Sequence, residues 1–511
     1  MSGRKRKERG LFGIVKSKSV LFTFKPRVGE EYSSDSEDSD YFPGRQSTDE
    51  DNVERKKLKA AKKKAKRTIS SDSKSSHTRS SVRWGKTLQT IRLPPEILLQ
   101  VFIFGVQSEG ITRFLPQVSR VCKEWHAVAS DPALLKHLNL SVEGGGSSTN
   151  RGRVSTLTIQ RLKKLLSSRD LSQCQMISLA GQTKLKAGHI KSVLSHTPRL
   201  TSLNLRDCHV SSDILEKLPE LTPCLERIDL SHLPTFGETL CFGHIEKIVS
   251  TFGNRLVELR LGRMPHMKNR VDQLLKTIGL CCPLLEELDL SLSFVDVLIV
   301  SRATYIDMGE LAKACPRLKE LRLNRHNLED QSGKTQPYNP AFTNLKVYSQ
   351  TEQIHDSNQH PVFYRMFSNN HLIELNLSHT NLFPSRVSSS GVKSVRKLYL
   401  ANMRWGESDA GELDRCMSAW SESLEILDLS LSMLDWFNQE LHDCFLQPRH
   451  WASLNMLNLS YSRLEAKTVV CILRNCKSLE TIDLTACRKL PRECQRDFHQ
   501  TEFKCLMKTL C

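Results

Sequence analysis

The chain repeats one short apolar pattern, Leu-x-x-Leu-x-Leu, through its last three hundred residues. Residues two apart in an extended strand point to the same side, so each copy predicts a short strand with one apolar and one polar side. Successive centres are 23 to 33 residues apart, except for one interval of 54 in which Leu345 and Tyr348 mark a weak copy. The clear centres are Leu203, Ile228, Leu259, Leu288, Leu321, Leu375, Leu398, Leu427, Leu457 and Ile482.

A single copy cannot shield its apolar side from water, so the copies are expected to stack on one another. Each large apolar side chain buried in the stack contributes roughly 1.5 to 3 kcal/mol. Between two centres, Val271, Leu274, Leu275 and Ile278 have helical spacing, which predicts a helix on the outer side of the stack. A repeat of this length and pattern is typical of leucine-rich repeats.

Two further copies precede the clear ones, centred on Leu138 and Ile177. They bring the total to about thirteen. The predicted fold class is therefore α/β: a leucine-rich-repeat solenoid, or horseshoe, of about 11 to 13 repeats. The expected boundaries are a charged tail over residues 1–86, a helical module over 91–137, repeats over 138–492 and a C-terminal cap over 493–511.

Most of the positive charge lies outside the repeats. The chain has a formal net charge of +18, of which residues 1–90 carry +11. The tail contains basic runs at Arg4–Lys7 and Arg55–Arg67, separated by the acidic stretch Ser33–Asp40. This composition predicts disorder, and the basic runs favour nuclear import, with nucleic-acid binding by the tail and a merely solvated segment as alternatives. We expect nuclear localisation, with a cytoplasmic fraction left open.

Residues 91–137 follow a different pattern from the repeats. Leu93-Pro94-Pro95 suits a helix start, and Ile97, Leu98, Val101 and Phe102 follow at helical spacing. A second helix is predicted to carry Val118, Val121, Cys122 and Trp125 on one side. Three short helices form a small core at best, which leaves apolar surface for a partner. The plain structural alternative is a helical cap on the first repeat.

This segment resembles the F-box, through LPPEILLQVF and the later VSRVCKEWHAVASDPALLKHLNL. The resemblance implies docking on the Skp-type adaptor and cullin core of a ubiquitin ligase, with a protein substrate held on the repeats. The adaptor-binding residues that it implies are Leu93, Pro94, Ile97, Leu98, Phe102, Val121, Cys122 and Trp125. The chain would then be a non-catalytic receptor subunit. An adaptor-independent nuclear scaffold, or a nucleic-acid-associated repeat protein, is the alternative.

Several cysteines flank the repeat strands, namely Cys208, Cys282, Cys315, Cys476 and Cys487. Their placement resembles the cysteine-containing repeats of F-box proteins and predicts small buried side chains. None of the 16 cysteines forms a Cys-x-x-Cys pair, so we predict no metal site and no cofactor. Phosphate-binding loop, nucleophile-elbow and zinc-protease motifs are also missing from the sequence.

Substrate contacts are expected on the polar side of the strands. The predicted residues are Asp229, Arg260, Asp289, Arg322, Tyr399, Asp428 and Asp483. Their mixed charge argues against a nucleic-acid groove, which needs a continuous basic surface, and favours a protein substrate. No apolar run is long enough to span a membrane. Substrate identity, a need for substrate phosphorylation and a lid role for residues 326–340 stay open.

Overall fold

A computed structural model of the protein describes residues 12–16, 22–26, 93–142, 157–233, 242–264, 270–292, 304–305, 308–326, 328–329, 342–352, 367, 372–403, 405, 411–432, 435–446 and 451–510. In the charged tail, β1 (Phe12–Lys16) pairs antiparallel with β2 (Phe22–Pro26). The rest of the expected disordered tail, with its basic and acidic runs, lies outside the described residues.

The helical module begins with α1 (Pro95–Glu109), whose first residue is a proline as the sequence predicts. It continues through α2 (Ile111–Val118) and α3 (Lys123–Val128) to a 3₁₀ helix at Pro132–Leu135. The predicted second helix is therefore interrupted. Cys122 adopts an extended backbone, and its Sγ accepts the Trp125 N–H at 3.4 Å, so it caps α3 instead of continuing α2.

The repeats form one parallel sheet of thirteen three-residue strands, closed by an antiparallel fourteenth. The parallel strands are β3 (His137–Asn139), β4 (Met176–Ser178), β5 (Ser202–Asn204), β6 (Arg227–Asp229), β7 (Glu258–Arg260), β8 (Glu287–Asp289), β10 (Glu320–Arg322), β12 (Val347–Ser349), β13 (Glu374–Asn376), β14 (Lys397–Tyr399), β15 (Ile426–Asp428), β16 (Met456–Asn458) and β17 (Thr481–Asp483). Their central residues are the thirteen predicted centres, the weak copy at Tyr348 included. Two shorter strands, β9 (Thr304–Tyr305) and β11 (Leu328–Glu329), pair with each other.

Most strands are followed by a helix, and the helices pack against the apolar side of the sheet. They are α4 (Ile159–Ser168), α5 (Ala187–Ser195), α6 (Ser212–Leu221), α7 (Phe242–Phe252), α8 (Val271–Cys281), α9 (Met308–Ala314), α10 (Pro384–Ser389), α11 (Glu412–Trp420), α12 (Asp435–Leu446) and α13 (Ala466–Asn475). In α8 the predicted residues Val271, Leu274 and Ile278 are buried. The core runs continuously between helices and strands, from the helical module to the C-terminus. The fold is the predicted leucine-rich-repeat solenoid, preceded by a small helical module.

Eleven of the thirteen repeats turn away from their strand through a residue in the left-handed region, four residues after the repeat centre. Ten of these are non-glycine residues, with φ between 49° and 68°; Asp207 and His232 are two of them. This conformation costs roughly 1 to 2 kcal/mol for a residue with a Cβ. The cost is offset by hydrogen bonds to the next repeat: Asp207 N–H donates to Ser231 O at 3.1 Å, and His232 N–H to Gly262 O at 2.8 Å.

The five cysteines predicted to be buried are buried in the structure. Cys208 Sγ donates to Leu179 O at 3.0 Å, and Cys487 Sγ donates to Leu459 O at 3.1 Å. In another repeat His326 Nε2 makes the same kind of contact with Leu290 O at 2.9 Å. These side chains satisfy a carbonyl of the preceding repeat, which a purely apolar residue cannot do.

The segment predicted as a C-terminal cap, residues 493–511, contains a strand and a helix. β18 (Asp497–His499) pairs antiparallel with β17, and α14 (Phe503–Leu510) follows it and packs against α13. No helix among the described residues is long and apolar enough to cross a membrane. The described residues also contain no group of three or more His, Cys, Asp or Glu that could hold a metal ion.

Candidate functional site

The helical module is built around Phe102, which is fully buried. Its ring packs edge-on against Phe114 of α2, with centroids 5.6 Å apart, and against Trp125 of α3 at 5.3 Å. Leu98 and Val106, one helical turn before and after Phe102 on α1, are buried with it. These contacts hold the three helices together as one small core.

The opposite side of α1 presents apolar side chains to solvent. Ile97 is 50% exposed, Val101 49% and Phe104 72%. Their spacing of four and three residues places them on one side of the helix. Apolar residues at this exposure form a candidate docking surface, called here the α1 face and defined by Ile97, Val101 and Phe104.

The predicted adaptor-binding residues divide into two groups. Leu93, Pro94, Ile97, Val121 and Cys122 are exposed and available to a partner.

Leu98 and Phe102 are buried in the module core, and Trp125 is partly buried against Phe102. This burial contradicts the predicted adaptor contact of Leu98 and Phe102, because their apolar surface is already packed inside the module core. Sequence reasoning placed adjacent residues such as Ile97 and Leu98 in one stripe, and it left Val101 and Phe104 out of the predicted site. The spacing of residues 97, 101 and 104 was the signal that could have found them.

The module leads into the first repeat without an intervening loop. Leu134 and Leu135 of the 3₁₀ helix are buried, and β3 begins two residues later. The carbonyl of Lys136 accepts the N–H of Met176 at 2.9 Å, which joins the end of the module to β4. Arg169 Nη1 also donates to Ala129 O at 3.3 Å. Module and repeats therefore share one continuous core.

The seven predicted substrate contacts lie in one row across the sheet, each at the last residue of its strand. Arg260 on β7 lies opposite Asp289 on β8, which lies opposite Arg322 on β10. Further along, Tyr399 lies opposite Asp428. Burial raises the pKa of Tyr399 to about 12, so its hydroxyl stays protonated at neutral pH.

Several members of this row are occupied by a local hydrogen bond. The carboxylates of Asp229, Asp289, Asp428 and Asp483 each accept the N–H two residues later, at 2.8 to 2.9 Å. Asparagine makes the same bond in other repeats, as at Asn204. This turn explains why Asp and Asn recur at the position.

Two of the four aspartates are covered as well as bonded. Asp229 is 7% exposed and Asp428 only 3%. The expectation that these two side chains project from the surface is therefore corrected. Asp289, Asp483 and the two arginines keep partial exposure.

Arg260 and Arg322 pair with glutamates that lie at the first position of their strands. Arg260 Nε lies 2.9 Å from Glu258 Oε1, and its Nη2 bonds to Glu287. Burial alone would lower the pKa of Arg260, but Glu258 and Glu287 outweigh it and raise the pKa. Arg322 bonds to Glu320. Glu258, Glu287 and Glu320 are direct neighbours on adjacent strands, so the arginines separate carboxylates that would otherwise repel.

A concavity of about 360 Å³ opens where the module meets the inner surface of the first repeats. Val106 and Gln107 at the end of α1 form one side, and residues of β3 to β7 form the floor. Asn204, Asp229 and Glu258 line it. Of the predicted substrate contacts, only Asp229 borders this concavity.

Comparison with known proteins identifies the helical module. The F-box-like family model matches residues 90–141. No curated protein sequence matches the chain.

Similar solved structures include the yeast Rad7 and Elc1 complex, at 15% identity and TM-score 0.39, covering 88% of this chain and 96% of that one. The leucine-rich repeat-containing protein LegL7 from Legionella pneumophila has 12% identity and TM-score 0.32, covering 73% and 97%. Residues 90–141 thus form an F-box-like domain, which leads directly into a leucine-rich-repeat solenoid.

Proposed function

We propose that the protein is the substrate-recognition subunit of an SCF-type ubiquitin ligase, a complex of a Skp-type adaptor, a cullin and an F-box protein. The observation that carries this proposal is the exposed α1 face of the F-box-like domain, formed by Ile97, Val101 and Phe104. These side chains would insert into the adaptor, while the repeats would hold a protein substrate. Their exposure is otherwise unfavourable, because burying the exposed part of each side chain would release roughly 1 to 2 kcal/mol.

In this role the chain contributes no catalytic group. The ligase would transfer ubiquitin because the substrate lysine is held near the ubiquitin-carrying partner, which raises its effective concentration. The continuous core between F-box and repeats supports this function, since it fixes the substrate surface relative to the adaptor. Degradation of the substrate would follow from the modification.

Within this class, the two ends of the folded region resemble F-box/LRR-repeat protein 6. The resemblance rests on Trp84-Gly85, on Ser130 to Leu134, and on the run from Leu457 to Arg492. We propose this relationship together with a nuclear location, which the basic run Arg55–Arg67 favours. A reporter protein carrying residues 50–70 should then accumulate in the nucleus, and a reporter that stays cytoplasmic would contradict the location.

The docking role is tested by pull-down of the full-length chain with the adaptor and cullin. A double variant, Ile97→Asp with Val101→Asp, places two charges on the α1 face and should abolish recovery of both partners. Leu280→Asp is the matched control, because Leu280 on α8 is 86% exposed and lies far along the repeats. Recovery that survives the double variant would overturn the proposal and favour an adaptor-independent scaffold.

A further inference from the structure

The concavity beside the F-box-like domain is separate from the α1 face. None of its lining residues belongs to Ile97, Val101 or Phe104. Its volume of about 360 Å³ falls within the range of ligand-binding clefts, roughly 300 to 1,000 Å³. The concavity and the α1 face therefore have no residue in common.

One end of the concavity is apolar. Met176 on β4 is 40% exposed there, beside Val106 at the end of α1. His137 Nδ1 lies 2.8 Å from Met176 Sδ, so the imidazole forms the adjoining wall. An exposed thioether suits contact with an aliphatic side chain, because methionine adapts its shape to the partner.

The middle carries uncharged hydrogen-bonding groups on successive strands. Asn139, Ser178 and Asn204 lie in register on β3, β4 and β5. Asn139 Oδ1 accepts Ser141 N–H at 3.0 Å, and Asn204 Oδ1 accepts Arg206 N–H at 2.9 Å. Those bonds fix the carboxamides and leave their NH₂ groups as donors. Donors arranged in this way suit the main-chain carbonyls of an extended polypeptide.

The far end carries an excess of negative charge. Asp229 and Glu258 line this end, and Glu287 lies next to Glu258 on the neighbouring strand β8. Arg227 and Arg260 are the two basic residues that pair with Glu258. Arg227 Nη1 is 3.7 Å from Glu258 Oε2, a distance longer than a hydrogen bond. Burial, together with the neighbouring carboxylates, raises the pKa of Glu258, in spite of both arginines. One further cation would balance the net negative charge of this group.

We propose that the concavity binds an extended segment of the protein substrate, with an aliphatic side chain against Met176 and a lysine or arginine beside Glu258. β4 and β7 are three strand steps apart, roughly 14 Å, which an extended chain spans in about four residues. The recognised sequence is thus an aliphatic residue and a basic residue separated by about three others, in either order. This inference rests on the proposed function as a substrate receptor.

The test uses the full-length chain bound to its adaptor and a positional-scanning library of short, end-blocked peptides on a polyserine background. Peptides with a leucine and a lysine separated by three serines should be retained in preference to those with other separations. Met176→Glu and Glu258→Lys should each weaken binding of the best peptide by at least about tenfold in fluorescence anisotropy. Glu258→Lys should also shift the preference from lysine to glutamate.

Glu374→Lys is the matched control. Glu374 on β13 has the same 17% side-chain exposure as Glu258 and a similar ion pair, with Lys397 Nζ at 3.5 Å. It lies outside the concavity, so this variant should bind the peptide normally.

Three results would overturn the inference: no retained peptide, a preference without the basic residue, or binding unaffected by both concavity variants. A small molecule that copurifies with the chain and is lost in Met176→Glu, seen by native mass spectrometry, would also overturn it in favour of a non-peptide ligand. Adaptor pull-down of the same variants separates the two proposals. Normal adaptor recovery without peptide binding contradicts only this inference, whereas absent recovery by the unmodified chain contradicts the proposed function.

Discussion

The ring of Phe114 lies directly over Gly105, so close that a Cβ on Gly105 would stand 2.3 Å from the ring. The contact lets α2 approach α1 and completes the F-box core around Phe102. Gly105→Ala should therefore push the helices apart and destabilise the domain by about 1 to 3 kcal/mol. Chemical denaturation measures this loss.

Gly188→Ala is the control for that substitution. Gly188 is exposed on α5, and a Cβ there would meet nothing within 4 Å. It should be neutral or stabilising by up to about 1 kcal/mol. Equal effects at the two glycines would show that Phe114 does not require the missing Cβ.

Phe102 and Phe104 are two residues apart but face opposite environments, being 0% and 72% exposed. Phe102→Ala should cost about 3 to 5 kcal/mol of stability, because it empties the module core. Phe104→Ala should leave the melting temperature nearly unchanged and weaken adaptor binding. Calorimetry and adaptor titration on both variants check this division. A Phe104→Ala variant that unfolds, or that binds the adaptor at full strength, would contradict it.

Asp428 is buried on the inner surface, and burial raises the pKa of its carboxyl group. An acid with a raised pKa in the folded state destabilises the fold once it ionises, so its contribution worsens as pH rises through that pKa. Asp428→Asn keeps an oxygen for the Ser430 N–H and removes the charge, as Asn458 does in the next repeat. It should stabilise the protein at neutral pH.

That gain should shrink as the pH falls and the wild-type Asp428 becomes protonated. Urea denaturation of both proteins across the acidic range measures it. Asp483→Asn is a matched comparison at a partly exposed site and should have a smaller effect. A gain at Asp428 that is independent of pH would rule out ionisation as its cause.

Ala486 occupies the left-handed corner of the last repeat, with φ of 59°. Ala486→Gly removes the Cβ that strains this conformation and should raise stability by about 0.5 to 1 kcal/mol. The same substitution at Ala419, exposed within α11, should lower stability by a similar amount. Thermal denaturation should show melting temperatures that shift in opposite directions for the same Ala→Gly substitution at the two positions.

Thiol reactivity should separate the exposed cysteines from those in the solenoid. Cys122, Cys224 and Cys505 are exposed, whereas burial raises the pKa of Cys282, Cys315 and Cys476 to about 12. Residue-resolved mass spectrometry of the native protein should find a maleimide on the exposed group and not on Cys282, Cys315 or Cys476. Addition of the adaptor should protect Cys122 and leave Cys224 and Cys505 reactive. Unchanged labelling of Cys122 would remove it from the adaptor-binding residues.

The strands were predictable because each contributes a strict apolar pattern repeated many times. Even the weak centre Tyr348 forms a strand, since its neighbours on both sides fix its register. The F-box-like domain was recognisable from its sequence, but its buried and exposed residues were not separable, because Ile97 and Leu98 differ only in helical phase. The Asp and Asn turns depend on a backbone corner that no side-chain pattern encodes, so Asp229 and Asp428 were misplaced.

The antiparallel pairing of β18 with β17 ends the sheet with a chain segment that cannot begin another repeat. Its outermost strand is three residues long and exposes the charged Asp497 and the polar His499, and a short, polar edge strand disfavours pairing with a second molecule. The sheet therefore has thirteen parallel strands. At roughly 4.8 Å per step, the inner surface measures about 58 Å along the sheet, the span of some 17 extended residues. An extended polypeptide segment of more than about 17 residues that runs along the sheet would therefore project beyond the inner surface.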